Sequence, residues 1–285
     1  MTIKKSTLYI VGTPIGNLGD LSPRALEVLN GVDFIGAEDT RVTLKLLTKF
    51  GVKKPLLACR QHNIREVSRQ IVTRLHEGES CAIVTDAGMP CISDPGAELV
   101  DLCHAEGVET QVIPGACALV AAVALSGFSC QRFSFEGFLS INPRQRRERL
   151  ELVKDYDGLL VFYEAPHKLK KTLADLLNTL GDREIALCRE LTKIHEEVCR
   201  MKLSEAVQKY EEVIPRGEFA LVINSPPWRG GGNADGVVTL AEAANIAADL
   251  IAQGEKPADA CKQAAKQTGL SKSLIYKEYL KGEKL

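Results

Sequence analysis

The chain lacks a long apolar run. The longest, Ala116 to Leu125, holds ten residues, half of the roughly 20 that a bilayer span needs, so no membrane segment is expected. It also lacks any Cys-x-x-Cys pair. Nine cysteines, an odd number, are scattered along the sequence, which argues against a disulfide scaffold and against a thiolate zinc site, and no metal is expected. The opening MTIKKSTLYIVG passes straight into a strand pattern, with neither an apolar stretch nor a small-residue cleavage site. A cytoplasmic chain with reduced thiols is expected. Charge of one sign is missing too. The formal net charge is -1, so a nucleic-acid partner would have to be held by local basic patches and not by a global field.

What is present is ordinary globular composition, 45% hydrophobic and 26% charged over 285 residues, enough for two compact domains. In the first half, short β-rich runs alternate with helical stretches. Leu8 to Gly12, Val32 to Glu38, Cys81 to Thr85 and Glu109 to Ile113 read as strands, and Ile64 to His76 as a crossover helix, so a parallel sheet is predicted. From Ser126 the pattern changes. Gly158 to Tyr163, Glu184 to Glu190, Glu196 to Met201 and Phe219 to Asn224 read as strands around one long helix, Pro166 to Leu180, and predict a mixed sheet. The two prolines and the glycine run of SPPWRGGGNADG resist helix and strand alike. The expected division is therefore an α/β domain over 1–125, a second over 126–225, a linker over 226–236 and a small helical, helix-turn-helix-like module over 237–285.

In an open parallel sheet, ligands bind beyond the carboxyl ends of the strands, so the loops there are the ones to inspect. The first, VGTPIGNLGD, spaces Gly12, Gly16 and Gly19 as Gly-x3-Gly-x2-Gly, one residue away from a dinucleotide fingerprint. A plain tight turn explains it equally well. The third loop is more specific. TDAGMPCISDPG sets Asp86 after a strand, where a carboxylate can accept from a ligand ammonium or ribose, and ends in Asp94-Pro95-Gly96, which reads as a helix cap. The fourth, VIPGACALVAA, turns at Pro114 and Gly115 into a helix of small residues that either leave room for a ligand or let helix and sheet pack tightly.

Taken in order, a Gly-Pro first loop, a strand-Asp loop closing on Asp-Pro-Gly and an Ile-Pro-Gly helix entry resemble the tetrapyrrole methylase family over about the first 225 residues. That resemblance implies two α/β domains with S-adenosylmethionine in the cleft between them, in a homodimer. It assigns cofactor contacts to Pro14, Asp86, Met89, Cys117 and Ala118, and to Phe162, Leu191 and Ala220 of the second domain. AEDTR at Ala37 to Arg41, His62 with Asn63, FYEAPHK at Phe162 to Lys168 and CRELTKIHEE at Cys188 to Glu197 are similar to the branch that acts on RNA. They imply methylation of the ribose 2'-hydroxyl of a decoding-site cytidine in 16S rRNA of the small ribosomal subunit.

Methyl transfer needs the acceptor oxygen in line with the sulfonium methyl. Positioning of that kind accounts for about 7–11 kcal/mol, against up to roughly 5 kcal/mol from a general base. Base candidates are Glu38, Asp39, His62 and Glu164, although Asp39 and Arg41 can equally form an ion pair. Arg189, Glu190 and Lys193 fit either a phosphate grip or a network within the domain. Phosphate contacts are expected first from Arg144, Arg146, Arg147 and Arg149, although such a run is also a common solvated helix face. The segment from Glu255 to Leu285, with seven lysines against four acids, is a second basic candidate. Three other readings stay open: a methylase of tetrapyrroles, other small molecules or proteins on the same fold, a nucleic-acid-binding regulator, and a nicotinamide-dependent oxidoreductase resting on the glycines and Glu38.

Overall fold

The computed structural model describes residues 2–225, 239–268 and 270–282, so the expected linker at 226–236 lies outside the described residues. In the first unit, β1 (Thr7–Val11), β2 (Phe34–Ala37), β3 (Leu56–Ala58), β4 (Cys81–Val84) and β5 (Glu109–Ile113) pair in the order β3-β2-β4-β1-β5. Every pairing is parallel. Both faces of a parallel sheet must be covered, and the alternation along β1 shows how. Leu8 joins Ile71 and Leu75 of α3 (Ile64–His76) and Leu99 of α4 (Ala97–Ala105) in one core. Tyr9 and Val11 point the other way, toward Val28 and Leu29 of α1 (Pro23–Gly31) and Leu47 of α2 (Thr40–Lys49).

The second unit is the mixed sheet predicted by the sequence. Its strands are β6 (Phe133–Phe138), β7 (Leu159–Glu164), β8 (Glu184–Arg189), β9 (Glu197–Lys202) and β10 (Phe219–Ile223), in the order β6-β7-β10-β8-β9. Only β6 and β7 run parallel, and the other three pairings are antiparallel. One face carries α6 (Pro143–Val153), α7 (Pro166–Leu180) and α8 (Leu203–Glu212) over a core that includes Leu150, Phe162, Leu173 and Leu221. The other face receives α5 (Ala118–Ser126), whose Leu119 and Ala122 pack on Val161, Ala186 and Cys188. α5 thus follows the first sheet in sequence and packs on the second in space, and the expected boundary after residue 125 falls within it.

Two strands escape the sequence reading. β3 is only three residues long. In β6 the register shifts between Phe135 and Gly137, where Gly137 takes φ +61, so its apolar alternation breaks in mid-strand. From residue 239 on, α9 (Leu240–Ala252), α10 (Pro257–Thr268) and α11 (Lys272–Gly282) surround a small core of Ala243, Ala247, Cys261, Ala264 and Ile275. Thr239 caps α9 through a reciprocal pair with Glu242. Among the described residues no helix is long and apolar enough to cross a membrane.

Candidate active site

The carboxyl ends of β1, β2, β4 and β5 converge on a cavity of about 360 Å³, within the range of small-molecule sites. Its floor is built by close backbone contact. Gly12 N donates to Ile113 O (3.0 Å), while Thr13 and Gly88 exchange backbone hydrogen bonds at 2.9 and 3.2 Å. Thr13 Oγ1 adds a bond to Thr85 O at 3.2 Å, so the first and third loops are tied to each other before any ligand arrives.

One end of the cavity is acidic. Glu38 follows β2, and Asp86 and Asp94 come from the loop after β4. Thr85 Oγ1 donates to Glu38 Oε2 at 2.6 Å. Asp86 accepts from the Asp39 amide at 3.1 Å. Partial burial, and then the neighbouring charges, hold the Asp86 and Asp94 carboxyls above their ordinary values. The lining also includes the apolar Ile15, Met89, Leu191 and Ala220 and the ring of Tyr163, and burial pushes the Tyr163 hydroxyl up to about 12. The single lysine of the lining, Lys193, is held at 2.9 Å by both Glu190 and Glu218. An acid-lined pocket with its one cation already paired suits a ligand that carries positive charge together with an apolar body. Among the described residues there is no cluster of His, Cys, Asp and Glu that could hold a metal ion.

Of the residues singled out by sequence, the cavity brings together Asp86, Met89, Cys117, Ala118, Leu191 and Ala220, and also Glu38 and Glu164. Pro14 is buried beside the lining residue Ile15 and is not itself part of the lining. Phe162 requires a correction. It is fully buried in the core on the opposite face of the second sheet, and the side chain that reaches the cavity is Tyr163, because successive side chains on a strand point to opposite faces.

The base candidates divide. Asp39 caps α2 and forms a two-point ion pair with Arg41 (3.0 and 2.6 Å), which holds its carboxyl well below the usual carboxylate range. A carboxylate so stabilised is a poor proton acceptor. His62 is exposed in the turn before α3 and outside the lining. Glu164 accepts from the Ala165 amide at 2.9 Å and from the Thr172 hydroxyl, so both of its oxygens are engaged. Glu38 remains as a base candidate in the cavity. Asp94 is a residue whose role the sequence misread: Gly96, at φ +135, occupies the cap position of α4, and Asp94 faces the cavity.

The arginine run also requires a correction. Arg146 is 5% exposed, and its Nε and Nη2 donate to Asp175 at 2.5 Å and to Thr172 at 2.7 Å, which leaves it unavailable to a phosphate. Arg144 and Arg147 are exposed, with Arg144 paired to Glu148. Arg149 pairs with Glu136. Arg189, Glu190 and Lys193 form a network within the unit, Arg189 reaching Glu197 at 2.9 Å.

A family model described as Tetrapyrrole (Corrin/Porphyrin) Methylases matches residues 7–207. A Thermotoga maritima protein named Ribosomal RNA small subunit methyltransferase I is 48% identical over 217 residues, 76% of this chain and 97% of its own length. A Halalkalibacterium halodurans protein of the same name is 42% identical over 96% of this chain and 95% of its own. Among solved structures, diphthine synthase superposes with a TM-score of 0.59 at 15% identity, covering 77% of this chain and 89% of its own. The cobalt precorrin-4 methyltransferase CbiF gives 0.56 at 21% identity, covering 76% and 94%.

Proposed function

The chain belongs to the tetrapyrrole methylase family of S-adenosylmethionine-dependent methyltransferases, and from that premise we propose that it methylates ribosomal RNA of the small subunit, at the ribose 2'-hydroxyl of a decoding-site cytidine in 16S rRNA. The observation that carries the cofactor assignment is the cavity. S-adenosylmethionine bears a sulfonium and an ammonium, and Glu38, Asp86 and Asp94 supply the opposite charge among apolar lining residues in a cavity of the right scale. Asp86, Met89, Cys117, Ala118, Leu191 and Ala220 hold it in this reading. The relatives' shared name supports the RNA substrate, with identity that extends over the C-terminal helices. Arg144, Arg147 and Arg149 then contribute phosphate contacts. Such a substrate places the protein in the cytoplasm.

The test is to offer the protein labelled S-adenosylmethionine with assembled small subunits, naked 16S rRNA or a porphyrinogen. Label is expected in RNA, at one ribose. Label found only in the porphyrinogen removes the RNA assignment.

A homodimer belongs to the same proposal. α5 is apolar on every side, and while Leu119 and Ala122 are covered by the second sheet, Val120 stays 58% and Leu125 46% exposed. A second copy is the partner that would cover them. Sedimentation equilibrium should give twice the 31.1 kDa chain mass, and a Val120→Asp, Leu125→Asp double variant should shift to the single mass. A monomeric parent protein would dispose of this part.

A further inference from the structure

We propose that Arg146 is a positioning residue for cofactor binding: acting through the Thr172 hydroxyl, it fixes the Glu164–Ala165 corner of the cofactor cavity. This rests on the reading of that cavity as the S-adenosylmethionine site. Arg146 lies on the same stripe of α6 as the buried Leu150 and Val153. An apolar residue there would satisfy packing alone, and buried ion pairs contribute little net stability relative to well-packed apolar side chains. The guanidinium is therefore better explained by the polar groups it orders.

Those groups form a directed chain. Arginine can only donate, and a threonine hydroxyl has one proton to give and lone pairs to receive. Arg146 Nη2 fills a lone pair of Thr172 Oγ1 at 2.7 Å, and Thr172 in turn donates to Glu164 Oε2. Thr172 is fully buried and Glu164 is 2% exposed, so water does not compete for these bonds. The second oxygen of Glu164 is taken by the Ala165 amide at 2.9 Å. The carboxylate is thereby locked against its own backbone, at the point where β7 ends and both Glu164 and Ala165 line the cavity. Asp175, at 2.5 Å from Arg146 Nε, anchors the far end. Without Arg146 the hydroxyl rotor of Thr172 is no longer directed, and the cavity wall loses its fixed rotamer.

The experiment measures S-adenosylmethionine binding by calorimetry, with KM and kcat on the RNA substrate and thermal unfolding alongside. Thr172→Val, nearly the same volume, is expected to weaken cofactor binding and raise its KM about tenfold, with kcat within about twofold. Thr172→Ser, which keeps the hydroxyl, should restore both. Arg146→Met should match Thr172→Val, and the double variant should bind no more weakly than either single one, because one path is cut twice. If Arg146→Met fails to fold, the Val and Ser variants at position 172 decide alone. Binding within twofold of the parent protein in a destabilised Thr172→Val reduces the chain to a latch between helices and overturns the proposal, as does additivity in the double variant. Absence of binding by the unmodified protein is a separate outcome, which strikes the cavity assignment itself and the proposal with it.

Discussion

Gly115→Ala lowers the free energy of unfolding by about 3 kcal/mol, the upper end of the overpacking range, and weakens S-adenosylmethionine binding at least tenfold. A Cβ on Gly115 would stand 2.8 Å from the carbonyl carbon, Cα and oxygen of Gly12, and a Cβ on Gly12 would stand 2.7 Å from the Gly115 backbone. The obstacle is main chain on both sides, so no rotamer change relieves it. β1 and β5 are hydrogen-bonded neighbours up to Gly12 and Ile113, and relief must come from parting the first loop from the fourth. Those loops carry Ile15, Cys117 and Ala118 into the cavity.

Gly51→Ala provides the contrast. Gly51 takes φ +71 with nothing within 4 Å of an added Cβ, so its cost is conformational, about 1–2 kcal/mol, and cofactor binding should not change. Urea unfolding and calorimetry on the two variants separate the mechanisms. Equal losses of stability with cofactor affinity intact in both would show that the close approach of the two loops does not shape the site.

The roles of these glycines also show what a sequence can carry. VGTPIGNLGD suggested a loop that grips a ligand, yet Gly12 serves loop-to-loop contact, and Gly16 leaves room for Thr192 and Lys193 of the second unit. Spacing reports that side chains are absent, but not what occupies the space. The loop after β4 was easier to read because Asp86 brings chemistry as well as shape. Long periodic elements such as α3 and α7 were legible for the usual reason, a repeated apolar face.

Two misplacements, Phe162 and Arg146, have different local causes. Phe162 and Tyr163 differ by one step of the strand pleat, and the apolar run LLVFY is buried on both faces, so alternation could not say which one faces the cleft. Arg146, Leu150 and Val153 follow helical spacing, so the period that places two apolar residues inward places Arg146 there as well. The charge of Arg146 favours exposure and its helical period favours burial, and in the fold the period prevails. The partners of Arg146, Asp175 and Thr172, are 29 and 26 residues away, a pairing no local pattern could supply. The Asp39–Arg41 pair, two residues apart, was by contrast open to view.

Asp86→Asn should weaken S-adenosylmethionine binding about ten- to hundredfold, the size expected when one charge-assisted contact of about 1.5–3 kcal/mol is lost. The amide keeps an oxygen for the Asp39 N–H, which Asp86 now accepts at 3.1 Å, so the substitution removes charge without releasing the β2–α2 turn. The same charge predicts a pH effect with a definite sign. Burial and neighbouring carboxylates raise the Asp86 and Asp94 carboxyls in the folded protein. A raised carboxyl favours folding at pH below its unfolded value, and that contribution is lost as pH rises through the folded value. At neutral pH the unliganded cavity therefore holds repelling carboxylates that a cationic ligand relieves. As pH falls from neutral through the raised values, the empty protein should gain thermal stability from this site while cofactor affinity declines. In Asp86→Asn both trends should flatten. An affinity that stays constant across that window in the parent protein, or an unchanged slope in the variant, would show that the acidic end of the cavity does not meet the positive charge of the cofactor.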